Sequence, residues 1–273
     1  MKLTCALILM YCSNIVTDGT CGQLEYDYIS TETFLTKMEA MRQGRADSRL
    51  EITRYDTNLV REYFMHAEPR NKLADLHWVI RGLAKFGTAQ DAPKLKRLIE
   101  VFREQGSASG GELIYADLAL RARGGDRKAF EELLALEAKV EQEQIEIEFG
   151  ELLWMCGTAA ARDKLWEIAS DRSRLNGRLN ALEFLGLLRD DRYLTIATDP
   201  ELIMEVIGNG YNMYDQIVRI SGVEELRQVP PERLHAFIVK RKIRLSSPKR
   251  ILTVKGGIDW SAIAGDNSPL APK

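Results

Sequence analysis

Histidine is the first side chain to consider for chemistry, because its ordinary pKa lets it exchange a proton near neutral pH. The chain contains three, His66, His77 and His235. They show neither the HExxH pattern nor another close metal-ligand spacing, so the sequence predicts no metal and no other cofactor. His77 follows Asp75 by two residues, which allows a general base oriented by a carboxylate. A packed, hydrogen-bonded histidine fits the same pattern, and we favour it for His77 and His235.

A nucleophilic thiol is the second candidate. Cys156 continues an apolar stripe through Ile145, Phe149 and Leu152, a spacing typical of one face of a helix. We therefore expect a small buried side chain there, not a catalytic thiol. Residues 106–111 resemble a nucleophile elbow only superficially, because the centre of their glycine window is alanine. The sequence contains no P-loop or dinucleotide fingerprint either, and we predict no catalytic residues.

Two charge clusters stand out in a chain whose net charge is only −2. An acidic run can attract a cation or a basic partner, but a solvated helix face is its simplest interpretation. That run consists of Glu141, Glu143, Glu146, Glu148 and Glu151. The opposite cluster, the C-terminal basic stretch, could contact phosphate, lipid headgroups or an acidic partner. Its candidate interaction residues are Lys240, Arg241, Lys242, Arg244, Lys249 and Arg250.

The elements that would position these groups are helices. Only eight prolines occur, and none lies between Pro93 and Pro200. From position 71 onward, apolar residues recur every three or four positions in segments of about 12 to 16 residues. Short turns of glycine or aspartate separate these segments. Aligning the turns at Thr88, Gly125, Gly157 and Asp190 gives spacings of 37, 32 and 33 residues.

Repeats of this length, with two helices each, are typical of α-solenoids, because a single helix pair cannot bury both of its faces. Each repeat has an apolar helix end, a Gly or Asp turn and a second apolar stripe. The compared segments are 83–95, 120–133, 153–165 and 187–194. They resemble HEAT-like repeats of the bacterial type, in which a turn such as Leu-x-x-Leu-Gly-Asp joins the two helices. The resemblance implies an all-α fold, an α-solenoid of antiparallel helix pairs that serves as a curved scaffold for protein contacts, and it implies no catalytic residue. A generic helical bundle is the alternative.

The N-terminus is typical of a secretory signal. Lys2 precedes an apolar run, and small residues before Gln23 predict cleavage after Gly22. Acylation at Cys21 is less favoured, because Asp18 occupies the position where an aliphatic residue is needed. We therefore expect a periplasmic or secreted protein, with a cytosolic chain as the alternative. Nowhere does the sequence offer the roughly 20 consecutive apolar residues of a membrane span.

The regions that flank the repeats are less regular. Ser30 or Thr31 and then Asp56 are predicted to cap helices, and residues 50–55 fit either a short strand or a linker. Alternation between Lys242 and Val254 predicts a small β-hairpin. The predicted organisation is a signal peptide at 1–22, a helical cap at 23–70, HEAT-like repeats at 71–198, C-terminal helices at 199–241, and a basic hairpin with a loosely ordered tail at 242–273.

These features together predict an exported, non-enzymatic HEAT-like scaffold that binds a protein partner not identifiable from the sequence. A hydrolase or lyase-like enzyme, with a site on the inner face of the solenoid near His77, is one alternative. A nucleic-acid-binding HEAT-like protein is another, but only if the chain is not exported. The net charge of −2 and the signal sequence both argue against a nucleic-acid partner.

Overall fold

The computed structural model describes residues 25–44, 48–69, 73–105, 111–143, 149–173, 175–208, 212–245 and 251–260. Within this part, fourteen α-helices, three short 3-10 helices and two strands are present, so the prediction of a mostly helical protein is confirmed. The first seven helices are α1 (Thr31–Arg42), α2 (Ser48–Ile52), α3 (Thr57–His66), α4 (Leu73–Phe86), α5 (Ala92–Glu104), α6 (Ala116–Arg123) and α7 (Arg127–Glu143). The others are α8 (Phe149–Cys156), α9 (Ala159–Ser170), α10 (Leu175–Leu187), α11 (Arg192–Ala197), α12 (Pro200–Gly208), α13 (Met213–Ser221) and α14 (Pro231–Arg241). The predicted signal peptide lies outside the described residues.

The helices begin where local sequence favours a cap. The Ser30 side chain accepts a hydrogen bond from the backbone N–H of Thr33 at 3.1 Å, at the start of α1. Asp56 does the same for the first turn of α3, accepting from Asn58 and Leu59 at 3.0 and 3.1 Å. Each cap satisfies amide groups that the first turn leaves unpaired. The Ser30 and Asp56 predictions are confirmed.

The predicted apolar stripes form one continuous core. Leu83 of α4, Leu98 of α5 and Leu120 of α6 are fully buried, and Cys156 of α8 is fully buried as well. Helix α4 packs against α3, α5 and α6 and also against α8, which in turn contacts α6, α9 and α10. In the described part of the chain, no helix combines the length and the apolarity needed to cross a bilayer.

Basic side chains bind the carbonyl groups at the ends of these helices. The Lys85 ammonium donates to the backbone oxygen of Trp154, near the end of α8, at 2.5 Å. Arg123, at the end of α6, donates to the backbone oxygens of Gly87 and Met155. A helix C-terminus carries partial negative charge and carbonyl groups without an intrahelical partner, so these cations fasten α4, α6 and α8 to one another.

The predicted β-hairpin is wrong. Strand β2 (Ile251–Val254) pairs in parallel with β1 (Tyr26–Ile29), with Tyr26 opposite Ile251 and Ile29 opposite Val254. On its other side, the N–H of Leu252 donates to the oxygen of Arg54 at 2.8 Å. The alternation between residues 242 and 254 indicated a strand correctly, but alternation says which face a residue lies on and nothing about the partner strand.

Two further flanking segments are described in part. Residues 50–55 form the end of α2 and then an isolated bridge between Tyr55 and Leu252. The segment is therefore neither the predicted short strand nor the alternative linker. The start of the predicted loose tail is ordered against α3, since the Trp260 ring stacks on His66 with 5.5 Å between the centroids. Residues 261–273 lie outside the described part.

Candidate functional site

A cavity of about 610 Å³ lies among α1, α2, α3, α4 and α8. Its size falls within the range of roughly 300 to 1,000 Å³ that is usual for small-molecule sites. Two kinds of side chain dominate its wall, guanidinium groups and aromatic rings. We call it the guanidinium–aromatic cavity and define it by Arg42, Arg49, Arg81, Phe64, Trp78, Phe86 and Trp154.

A buried carboxylate holds two of the three arginines at the cavity. Glu151 of α8 is fully buried, and its Oε2 accepts hydrogen bonds at 3.2 Å from Arg49 and at 3.2 Å from Arg81. Arg81 also brings its Nε within 3.0 Å of the Glu151 Oε1. The arginines lie 102 and 70 residues away in sequence. A carboxylate that is buried this deeply requires such partners, because removing an ion from water without a partner costs several kcal/mol.

The position of Glu151 corrects the sequence interpretation. We expected it on a solvated helix face, together with four other glutamates whose side chains lie outside the described residues. Every residue of α8 is buried, so this helix has no solvated face for Glu151 to occupy. The contact of α8 with α4 places the Arg81 guanidinium against the carboxylate instead.

The third arginine is paired within the same wall. Arg42 donates through Nε to Asp75 Oδ1 at 3.0 Å and through Nη2 to the backbone oxygen of Glu68 at 2.8 Å. Both side chains of the Arg42–Asp75 pair are almost wholly buried. Asp75 therefore neutralises an arginine and is not placed as the orienting carboxylate of His77.

The aromatic part of the wall is held by a close approach of α3 to α4. The Phe64 ring centroid lies 5.1 Å from that of Trp78, and 6.3 Å from that of Phe86 in a nearly parallel arrangement. Gly82 makes this possible, since a Cβ atom at that position would lie 2.2 Å from the Phe64 ring. A larger residue would push the two helices apart and open the wall.

Trp154 lies between the cavity and a group of basic side chains that includes Lys85. Trp154 is 3% exposed, and among the described residues its Nε1 donor has no hydrogen-bond partner. The Lys85 ammonium lies 4.9 Å from the centroid of that ring. Burial, together with the nearby charges of Arg123 and Arg162, lowers the pKa of Lys85 to about 7. Lys85 thus fixes Trp154 through both its ring and its carbonyl group.

The three histidines occupy different settings. His77 is half-buried and packs edge-on against Phe102 at 5.1 Å; burial lowers its pKa, and the charge of Arg81 lowers it further. Its Nε2 has no hydrogen-bond partner among the described residues, so it is packed as predicted but without the expected bond at that atom. His235 is exposed, so the prediction that it is packed is wrong, but its Nδ1 lies 3.1 Å from the Thr198 hydroxyl, in keeping with the predicted hydrogen bond. His66 is also exposed.

The C-terminal basic stretch is placed only in part. Its members Lys240, Arg241, Lys242 and Arg244 are all exposed, whereas Lys249 and Arg250 lie outside the described residues. Two of them, Lys242 and Arg244, line a second cavity of about 580 Å³ between α11 and α14, which we call the basic groove. The groove also includes His235 and the exposed side chain of Val239.

The cavity and the groove differ in the polar side chains that the structure describes at their walls. Those at the wall of the guanidinium–aromatic cavity include no histidine, cysteine, serine, threonine or lysine. The described part of the chain also contains no group of three potential metal ligands among its His, Cys, Asp and Glu residues. Cys156 is fully buried, as expected for a packing residue, with its Sγ 3.5 Å from the Thr158 hydroxyl. Arginine and aromatic rings recognise anions and flat apolar groups.

The sequence analysis missed Arg42, Arg49, Arg81 and Trp154, which form much of the cavity. One signal pointed towards them. Glu151 is the only charged residue in the otherwise apolar segment 149–156. A carboxylate in such a segment is expected to be buried, and a buried carboxylate needs a cation as its partner. That signal predicts a buried ion pair but cannot say which of the 38 basic residues supplies it.

Comparisons of the chain with protein-family models, with curated proteins and with solved structures find no match. The geometry of the cavity and of the groove is therefore what bears on function.

Proposed function

We propose that the protein is a non-enzymatic, HEAT-like scaffold and that the guanidinium–aromatic cavity receives part of a protein partner. The packing of consecutive helices supports the scaffold: α4 with α5, α6 with α7, α8 with α9 and α10 with α11. The first helices of these pairs, α4, α6, α8 and α10, also pack in succession. Stacked two-helix repeats produce this set of contacts.

One departure from simple stacking bears on the site. Helix α4 also contacts α8, two pairs further along. Repeats that touch only their immediate neighbours would keep these helices apart. The extra contact brings Arg81 to Glu151, and the cavity lies where α1 and α2 cover this junction.

The composition of the cavity wall is the observation that carries the proposal. Tryptophan and arginine are enriched among the residues that contribute most to protein–protein binding. Three arginines and two tryptophans line this cavity, together with Phe64 and Phe86. An inserted side chain or chain end of a partner would find both apolar surface and charged donors there.

Site-specific photocrosslinking tests this proposal. Replacing Gln43, at the edge of the cavity, with p-benzoylphenylalanine in cells that make the protein should give one crosslinked partner, identified by mass spectrometry. The same replacement of Arg127, which is 91% exposed on α7, is the control and should not give it. The purified partner should then bind the wild type in a fixed ratio and bind Trp78→Ala much more weakly. A partner captured equally from both positions, or bound equally by Trp78→Ala, would contradict the proposal.

Export belongs to the same proposal. The lysine and apolar run before position 22 support it, and the expected mature chain begins at Gln23 in the periplasm or outside the cell. Mass spectrometry of the N-terminal peptide from each cell fraction measures this directly. A chain that retains Met1 in the cytosolic fraction would refute export.

The basic groove supports a second candidate function, contact with an anionic surface. Lys242 and Arg244 line it beside Val239, which is 62% exposed, so a cation pair borders an apolar surface. Binding to vesicles that contain phosphatidylglycerol should weaken as salt is raised, because exposed charges are screened. The variant Lys242→Gln Arg244→Gln should bind less, with Arg127→Gln as the control. Vesicle binding that changes neither with salt concentration nor in the Lys242→Gln Arg244→Gln variant would exclude this function.

A further inference from the structure

We infer that the basic groove binds a single anionic amphiphile, a molecule that joins a negatively charged headgroup to an unbranched alkyl chain. The inference rests on the second candidate function, contact with an anionic surface, and specifies the molecule that the groove itself receives. Two features of the groove carry it: cations without an acidic partner in the described part of the chain, and apolar side chains in the same wall.

The cations at the groove are not neutralised by neighbouring side chains. Lys242 and Arg244 both line the groove, and both are exposed. Among the residues that the structure describes, neither of them has a carboxylate within ion-pair distance, and the same holds for Lys240 and Arg241. These four positive charges, within five consecutive residues, are therefore available to an anion.

Local hydrogen bonds hold the groove cations beside α11. Lys242 ends α14 in the left-handed conformation, so the chain turns there, and the N–H of Ile243 donates to the oxygen of Ile238 at 3.1 Å. Two residues further on, the N–H of Leu245 donates to the Oδ1 of Asp191 at 2.6 Å, just before α11. The segment that carries the two groove cations is therefore fastened at both ends before a ligand arrives, which lowers the entropic cost of binding.

The apolar part of the wall comes from α11, α14 and the turn after α14. Val239 is 62% exposed and Ile243 is partly exposed, while Leu194 and Ile238 add buried apolar groups to the same wall. Covering the exposed apolar surface with a ligand is favourable, because this removes it from water. The volume of about 580 Å³ suits one small molecule.

An anionic amphiphile fits both parts of this wall. Its headgroup would accept charge-assisted hydrogen bonds from the guanidinium of Arg244 and the ammonium of Lys242. Its alkyl chain would cover Val239 and Ile243. A small inorganic anion would leave that apolar surface in water, and an uncharged alkane would make no use of the cations.

Two kinds of molecule have this chemistry. One is a free long-chain carboxylic acid, and the other is a phospholipid, whose headgroup phosphate carries the negative charge. Dodecanoate and dodecanoyl lysophosphatidylglycerol represent them in a calorimetric experiment on the full-length protein, and the tighter binder of the two identifies the source. If neither binds, the inference is overturned.

Two comparison ligands test the requirements for charge and for chain length. Dodecyltrimethylammonium keeps the alkyl chain and reverses the charge, and below the micellar concentration it should bind about tenfold more weakly than the better anion. Shortening the chain of that anion by two methylenes should also weaken binding about tenfold, because each buried methylene contributes to affinity. Equal affinity for the two charges, or no dependence on chain length, would overturn the inference.

A pair of variants identifies the cations responsible. Lys242→Gln Arg244→Gln should weaken binding of the anion about tenfold. Lys240→Gln Arg241→Gln removes the same charge from the two preceding exposed positions, which do not line the groove, and should change binding less than about threefold because exposed charges are screened. A thermal melt verifies that both variants fold. An equal loss in the two variants would show attraction to the whole basic stretch without a site in the groove, and would overturn the inference.

A second pair of variants tests the apolar wall. Val239→Asn should weaken binding of the anion about fivefold, because the alkyl chain loses its apolar contact. Met204→Asn is the matched control, since Met204 is 61% exposed on α12 and lies outside the groove wall. Affinity that is unchanged in Val239→Asn would also overturn the inference.

The results separate this inference from the second candidate function. Binding of a soluble amphiphile without binding to vesicles supports the inference and excludes the surface contact. Vesicle binding without binding of either amphiphile supports the surface contact and overturns the inference. A groove that instead receives an acidic helix of a protein partner, or a second copy of this chain, would bind neither amphiphile.

Discussion

The guanidinium–aromatic cavity and the C-terminal basic stretch both concentrate arginine, but in opposite ways. In the basic stretch, Lys240, Arg241, Lys242 and Arg244 are neighbours in sequence and all are exposed. In the cavity, the three arginines come from three different helices, and each lies against a buried carboxylate. The basic residues that are close together in sequence therefore lie on a solvated surface, whereas arginines that are far apart in sequence come together at the cavity.

The free energies involved differ accordingly. An exposed ion pair contributes about 0 to 1 kcal/mol, because water competes for both partners. Breaking a buried pair costs about 3 to 5 kcal/mol, because one charge remains in a poorly hydrated place. Substitutions that remove the same kind of side chain from each region should therefore separate the two regions clearly.

The largest expected effect is on Arg42. Arg42→Met should lower the free energy of unfolding by about 3 kcal/mol, because Asp75 loses its buried guanidinium. Arg244→Met, in the exposed stretch, should change it by less than about 0.5 kcal/mol. Urea denaturation of both variants measures this difference, and Arg42→Met Asp75→Leu should recover part of the loss. Equal effects at the two positions would remove the contrast between the regions.

A second test uses pH. The pKa of Lys85 is lowered to about 7 from its ordinary value of 10.5, so between these values the unfolded chain binds more protons at this residue than the folded one. The contribution of Lys85 to the free energy of unfolding should therefore become more favourable to the folded state as pH rises from 7 towards 10.5. Lys85→Met removes the titrating group, so any stabilisation of this variant relative to wild type should shrink across that window.

Thermal and urea unfolding at pH 7, 8.5 and 10 measures this dependence. Lys240→Met, which removes an exposed lysine from α14, is the matched control and should keep the difference from wild type constant. A Lys85→Met protein whose stability runs parallel to wild type across the window would show that the site does not disfavour the charged amine.

The smallest expected effect sharpens the comparison within the basic stretch. Lys242 ends α14 in the left-handed conformation, at φ 52°, where a Cβ atom is strained. Lys242→Gly should raise the free energy of unfolding by about 0.5 kcal/mol, despite the entropy that glycine gains in the unfolded chain. Lys240→Gly, inside the helix, should lower it by about 1 kcal/mol. Denaturant midpoints that move in the same direction would show that the turn carries no strain.

Local features were predicted well because their causes are local. The periodic apolar positions became buried helix faces, as for Leu83 and Leu98, and the predicted burial of Cys156 is confirmed. The caps at Ser30 and Asp56 were also correct. Each depends on interactions within a few residues of the chain.

Predictions that needed a partner at a distance were the ones that failed. The alternation before Val254 indicated a strand, but its neighbour is β1, more than 200 residues away in the chain. Glu151 was assigned to a solvated face because the acids before it suggested one, yet the packing of α8 left it no solvent. Backbone hydrogen bonding and ion pairing need complementary groups, and sequence proximity does not say where these come from.

The sequence by itself determined where α1 and α3 begin, which faces are apolar and that common enzyme motifs are missing, because these follow from local propensity and from residue identity. Only the tertiary structure decided that α4 meets α8, that Arg49 and Arg81 share Glu151, and that Gly82 lets Phe64 pack onto α4. These contacts join positions up to 102 residues apart, and they exist because the helices must bury their apolar faces against one another. The cavity is a consequence of that packing.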